Sequence, residues 1–96
     1  MSDDPIEIVD VPAEQRYEAR RGGEQLGVVT YIFEPGVITF THTETDPRFE
    51  GQGVGSALAR GVLDDARARG LKVQPVCPFI HGWIRRHPEY QDLTDG

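Results

Sequence analysis

Several classes of protein are excluded by what this chain lacks. A single cysteine, Cys77, leaves no partner for an internal disulfide. With only three histidines beside it, a structural zinc site is disfavoured as well, and no metal is expected. No apolar run approaches the length that crosses a bilayer, and Met1-Ser2-Asp3-Asp4 is acidic where a signal peptide is basic. A cytoplasmic location without a membrane partner is the expectation. Clustered positive charge is scarce too. Ten Lys and Arg against 16 Asp and Glu give a net charge of −6, which argues against a nucleic-acid backbone as the main ligand. The basic runs Arg20-Arg21 and Arg85-Arg86-His87 are short. An acidic surface suits a cationic amine, and it is equally a common way to stay soluble. There is no internal repeat and no low-complexity stretch. The 96 residues make one domain, 1–96, near the lower end of what buries a self-sufficient core; a monomer or weak dimer is expected.

What is present reads as strands followed by a helical unit. Residues 1–14 are polar and acidic apart from Ile6-Glu7-Ile8-Val9, an edge strand or a loose tail. Arg16 to Arg20 alternates, and Gly22-Gly23 signals a hairpin. A β-rich run from Gln25 to Glu34 follows. Pro35-Gly36 turns the chain into Val37 to Thr43, rich in β-branched residues. These segments predict an antiparallel meander. After the turn-forming Asp46-Pro47-Arg48-Phe49-Glu50 the period changes. Val54, Leu58, Val62 and Ala66 recur every four residues, with Ala57 alongside, so Val54 to Arg69 predicts an amphipathic helix. Gly70 suits its C-terminal cap, and Arg67 and Arg69 suit its last turn. Leu71 to Val76 reads as a short buried strand and Phe79 to Arg86 as a second helix. The tail from Glu89 to Gly96 is acidic and weakly patterned. The fold class is α+β, a meander followed by a β-α-β-α unit.

The informative feature is the turn Gly51-Gln52-Gly53-Val54-Gly55-Ser56, which leaves a strand and opens a helix. Such a turn exposes unpaired N–H groups at a helix N-terminus, where the helix dipole favours anions. Glycine supplies positive φ and lets a phosphate approach the backbone. A tight turn without a ligand is the plainer alternative, but three glycines at alternate positions before a strong helix exceed what a turn needs. A Walker loop would end in Gly-Lys-Ser/Thr, and here Gly55 is followed by Ser56-Ala57. A dinucleotide fingerprint would place its third glycine where this chain has Ser or Leu.

The stretch Glu50-Gly51-Gln52-Gly53-Val54-Gly55-Ser56-Ala57-Leu58 resembles the acetyl-CoA motif of the GNAT superfamily, Gln/Arg-x-x-Gly-x-Gly/Ala before the central helix. His42-Thr43-Glu44, Cys77-Pro78-Phe79 and His87-Pro88-Glu89-Tyr90 are similar to its short, single-cysteine subgroup, so that the resemblance spans about residues 25 to 93. Glu50 departs from the Gln or Arg of the motif, and no side-chain contact is carried over from that position; backbone donors do not depend on it. The resemblance implies N-acetyl transfer from acetyl-CoA to a primary amine, on a small molecule or a protein lysine or N-terminus. It implies two parallel strands that splay apart, with the pantetheine arm along Thr43, Glu44 and Thr45 and the pyrophosphate on Gly51, Gln52, Gly53, Val54, Gly55 and Ser56. It further implies His42 and Cys77 at the thioester, His42 as base for direct attack or Cys77 as a nucleophile that carries the acetyl group. Phe79 and Trp83 would pack on the arm. Arg85 and Arg86 would reach phosphates or form a surface pair, and Tyr90 would protonate the leaving group or anchor the tail. Longer members carry N-terminal helices with no counterpart in this pattern. A non-catalytic CoA- or acyl-CoA-binding module is therefore the second reading, and a Cys-His hydrolase the third.

Overall fold

The computed structural model describes residues 5–94, so the acidic Met1 to Asp4 and the end of the tail lie outside it. One five-stranded sheet holds the chain together, with its strands in sequence order. Strands β1 (Glu7–Val11), β2 (Arg16–Arg21), β3 (Glu24–Glu34) and β4 (Val37–Thr45) run antiparallel. Helix α1 (Val54–Ala68) then crosses over to β5 (Lys72–Pro75), which pairs parallel with β4. Helix α2 (Pro78–Arg86) and a 3₁₀ segment, Pro88–Leu93, close the domain.

The N-terminal alternative resolves as an edge strand, because Glu7 to Val11 register with Arg20 to Arg16 across the whole of β1. Ile8 of β1 lies over Gly61 of α1, where an added Cβ would stand 2.6 Å from its Cγ1. The small residue lets the helix reach the edge of the sheet.

Helix α1 buries Val54, Leu58, Ala59, Val62, Leu63 and Ala66 against one face of the sheet. Each of the larger side chains contributes about 1.5–3 kcal/mol by leaving water. Tyr17, Val29, Tyr31, Ile38, Phe40 and Val73 supply the sheet's half of that core. We call this the inner face. The helix stops where its sequence predicts, with Leu71 N–H bonded back to the Ala66 carbonyl around Gly70.

Two expectations are corrected. Strand β5 ends at Pro75 rather than Val76, since the Val76 N–H turns back to the Gln74 carbonyl at 3.1 Å. The weakly patterned tail is also structured. Tyr90 and Leu93 are buried in the core, and Asp92 receives Arg67 through both guanidinium nitrogens. Two apolar anchors in a short acidic stretch are too few to register as a period.

Tyr17 and Tyr31 pack with their rings tilted by 54° and the centroids 5.3 Å apart. The Tyr17 hydroxyl donates to Asp65 at 2.5 Å and that of Tyr31 to Asp10 at 2.7 Å, while Arg69 bridges the two acids. Burial first, and then its bond to Asp10, push the Tyr31 phenol up from 10.0 to about 12. Tyr17 moves in the same direction for the same reasons, with Asp65 as its acceptor. A group whose folded pKa is raised adds stability below its unfolded value and loses it as the pH rises towards the folded one. The unfolding midpoint is accordingly expected to fall between about pH 10 and 12. Tyr31→Phe should flatten that fall in a pH series of thermal melts, and an equally steep fall in the variant would refute the assignment.

Candidate active site

The glycine turn is set up by the residues before it. Asp46 accepts from the Arg48 N–H at 2.9 Å and starts a 3₁₀ turn, Pro47–Phe49. The Gln52 N–H is spent on the Phe49 carbonyl, and its side chain accepts from Arg21 at 2.6 Å. Gln52 is therefore turned out of the place that the motif implies for it. Gly51 and Gly53 adopt φ of 81° and 80°, a region that costs other residues about 1–2 kcal/mol. The first helical bond runs from the Ala57 N–H to the Gly53 carbonyl. Among the described residues the N–H groups of Gly53, Val54, Gly55 and Ser56 find no backbone acceptor, and no side chain caps the helix. They are the unsatisfied donors of a helix start.

Gly55 also has a packing role. Its backbone is helical, but a Cβ there would lie 3.0 Å from Cζ of Phe79. The missing side chain lets α2 press its first-turn aromatic onto the start of α1. Phe79 and Trp83 then line a cleft of about 370 Å³ together with Thr43, Thr45 and the glycine turn. Arg86 brings a cation into this cleft, whereas Arg85 lies on the far side of α2 with Pro75 and His81. Trp83 is held by His87, stacked at 3.9 Å, and by Arg60 over its ring. Its indole N–H is buried without an acceptor among the described residues.

The splayed strands follow from proline chemistry. β4 and β5 pair from Val37↔Lys72 to Phe40↔Pro75, and a last bond joins the Cys77 N–H to the Phe40 carbonyl at 2.8 Å. Pro75 and Pro78 have no N–H to donate, and Cys77 already caps α2, so the ladder stops. Strand β4 continues to Thr45, paired with β3 on one edge and unpaired on the edge towards β5. Thus Thr41 to Thr45 border a gap.

A bulge decides what faces that gap. Tyr31 pairs with Phe40 but Thr30 pairs with His42, which leaves Thr41 without an opposite residue. The extra residue reverses the alternation of β4. Phe40 and Thr43 point to the inner face, and His42 and Glu44 to the outer one. The Thr43 hydroxyl lies 3.1 Å from Sγ of Cys77, which is 2% exposed. The His42 side chain is 62% exposed, with Glu44 at 3.9 Å as its charged neighbour.

The structure therefore gathers Thr43, Thr45, Gly51, Gly53, Val54, Gly55, Ser56, Phe79 and Trp83 around one cleft, with Cys77 behind Thr43. It separates His42 and Glu44 from them by the thickness of the sheet. Tyr90 is the tail's anchor: it is buried, donates to Asp64 at 2.9 Å, and its phenol is raised by burial and by that bond. Phe49 and Glu50 also line the cleft, and neither was singled out as a lining residue from the sequence. Phe49 carries the guanidinium groups of Arg21 and Arg48 over its ring, a pairing invisible before the chain folds.

No curated protein matches the chain. A GCN5-like protein from Staphylococcus aureus, whose solution structure was determined by NMR, is similar to it with a TM-score of 0.68 and 27% identity, over 97% of this chain and 89% of that one. The family model described as GCN5-related N-acetyl-transferase matches residues 16–93. With this fold, this cleft and that match over most of its length, the chain belongs to the GCN5-related N-acetyltransferase family.

Proposed function

We propose that the protein transfers an acetyl group from acetyl-CoA to a primary amine by direct attack. The observation that carries this reading is the row of unpaired N–H groups from Gly53 to Ser56, opening into a cleft that runs to the β4–β5 gap. These donors and Arg86 suit a pyrophosphate, and the apolar wall of Phe79 and Trp83 suits the pantetheine arm. Glu50 is the one lining group of the wrong sign, and its exposed carboxylate weakens the site without blocking the backbone donors. When bound, acetyl-CoA would supply a thioester whose carbon–sulfur bond is exchanged for a carbon–nitrogen bond to the amine, the CoA sulfur leaving as a thiolate that takes up a proton from solvent.

The chain's own residues divide the work. The helix start and Arg86 hold the phosphates. The unpaired edge of β4 from Thr43 to Thr45 orients the arm as an added strand would, and offers an N–H to the developing oxyanion. His42 Nε2 takes the proton that the amine loses, from the outer side of the gap. Cys77 lines the gap from behind Thr43. Its sulfur is too enclosed to meet a thioester without displacing Thr43, which favours direct attack over an acyl-cysteine.

Intact-mass measurement after incubation with acetyl-CoA alone is expected to show no acetyl group on the protein. Cys77→Ala should retain transfer to an amine within a few-fold. A hydroxylamine-labile acetyl group on Cys77, together with loss of transfer in Cys77→Ala, would establish the acyl-cysteine route instead.

A further inference from the structure

We propose that His87 is a positioning residue for the cofactor: it holds the indole of Trp83 in the lining of the cleft, where the pantetheine arm is proposed to pack. On the acetyltransferase reading, on which this inference rests, the segment His87-Pro88-Glu89-Tyr90 thereby serves CoA binding. The local sequence sets the geometry. Trp83 and His87 are four positions apart, so on a continuous helix their side chains would be neighbours on one face. Pro88 disfavours helical backbone at the residue before it. His87 accordingly leaves α2 with φ of −130° and ψ of 84°, while its N–H still reaches the Ile84 carbonyl at 3.1 Å. Its ring lies flat on the indole, with centroids 3.9 Å apart and planes 12° from parallel. Nδ1 is 2.8 Å from the Trp83 carbonyl, which can only accept, so that nitrogen carries the proton.

Trp83 needs such a hold. It is 7% exposed, and its indole N–H is buried without an acceptor among the described residues. An unpaired buried donor costs free energy, and turning the ring out towards the cleft would hydrate it. Three contacts oppose that motion: the imidazole, the Arg60 guanidinium 5.7 Å from the ring centroid, and the Phe79 ring at 6.4 Å. Phe79 and Arg60 are themselves exposed, which leaves the imidazole as the fixed contact. The 3₁₀ segment fixes it. The Tyr90 N–H bonds the His87 carbonyl at 3.0 Å, and buried Tyr90 donates its hydroxyl to Asp64 of α1 at 2.9 Å. The aromatic lining is thus braced against the same helix whose first turn offers the N–H groups of Gly53 to Ser56. Without the imidazole the indole is free to leave its place, and apparent affinity falls with the fraction of molecules in the competent arrangement.

Calorimetric titration with CoA tests this, together with acrylamide quenching of the emission of Trp83, the one tryptophan in the sequence. Three variants divide the contact. His87→Phe keeps a flat ring over the indole, His87→Asn keeps a donor for the Trp83 carbonyl without the ring, and His87→Ala keeps neither. His87→Ala and His87→Asn are expected to bind CoA about two- to ten-fold more weakly than the parent, the range of one aromatic pair, with Trp83 more readily quenched. His87→Phe should return both readouts to near the parental values. A general loss of stability would weaken binding in His87→Phe and His87→Asn alike, so rescue in His87→Phe alone marks positioning. Should His87→Ala fail to fold, the other two variants decide. Parental affinity in His87→Asn, or an equal loss in His87→Phe and His87→Asn, overturns the proposal and leaves the acetyltransferase reading standing, because the parent still binds CoA. Failure of the parent to bind CoA overturns both.

Discussion

Gly55→Val is expected to yield a folded protein that no longer binds CoA. The substitution is tolerable to the backbone, because Gly55 is helical and not in the positive-φ region. Its effect is steric. The new Cβ stands 3.0 Å from Cζ of Phe79, and the two γ-methyl groups reach further still. Phe79 is 37% exposed, so its ring can swing outward instead of breaking the core. The stability loss should stay within the roughly 1–3 kcal/mol of ordinary overpacking. The displaced ring and the branched side chain then occupy the space beside the N–H groups of Gly53 to Ser56, where the phosphates are proposed to sit. Calorimetric titration is expected to give no detectable heat for CoA while circular dichroism stays that of the parent. An unchanged affinity in the folded variant would place the cofactor elsewhere.

His42→Ala is expected to cost about a hundred-fold or more in kcat, the usual contribution of a positioned general base. The side chain is largely exposed and lies across the sheet from the cleft, so CoA affinity should hold and stability should change by no more than about 0.5 kcal/mol. If kcat in the variant stays within a few-fold of the parent, another group takes the proton.

Both predictions turn on positions whose surroundings only the fold supplies. Gly55 was legible as part of a glycine turn before a helix, and the fold adds its contact with Phe79, twenty-four positions on in α2. His42 was placed beside the gap by the family resemblance. Which way it points depends on the Thr41 bulge, and a bulge belongs to two strands together. Arg85 and Arg86 are adjacent in sequence, and the docking angle of α2 sends only the second into the cleft.

The chain by itself determined its local elements: the hairpin at Gly22-Gly23, the stripe of α1 with Gly70 behind it, and a glycine turn ahead of a helix. Each follows from the conformational freedom or periodicity of a few neighbouring residues, and these act before any distant contact forms. Only the tertiary structure decided that Thr43 meets Cys77, that His42 and Glu44 face the other way, and that Tyr90 anchors the tail to Asp64. Those outcomes depend on strand register and helix docking, in which residues far apart in the chain must satisfy one another's volume and hydrogen bonds at once.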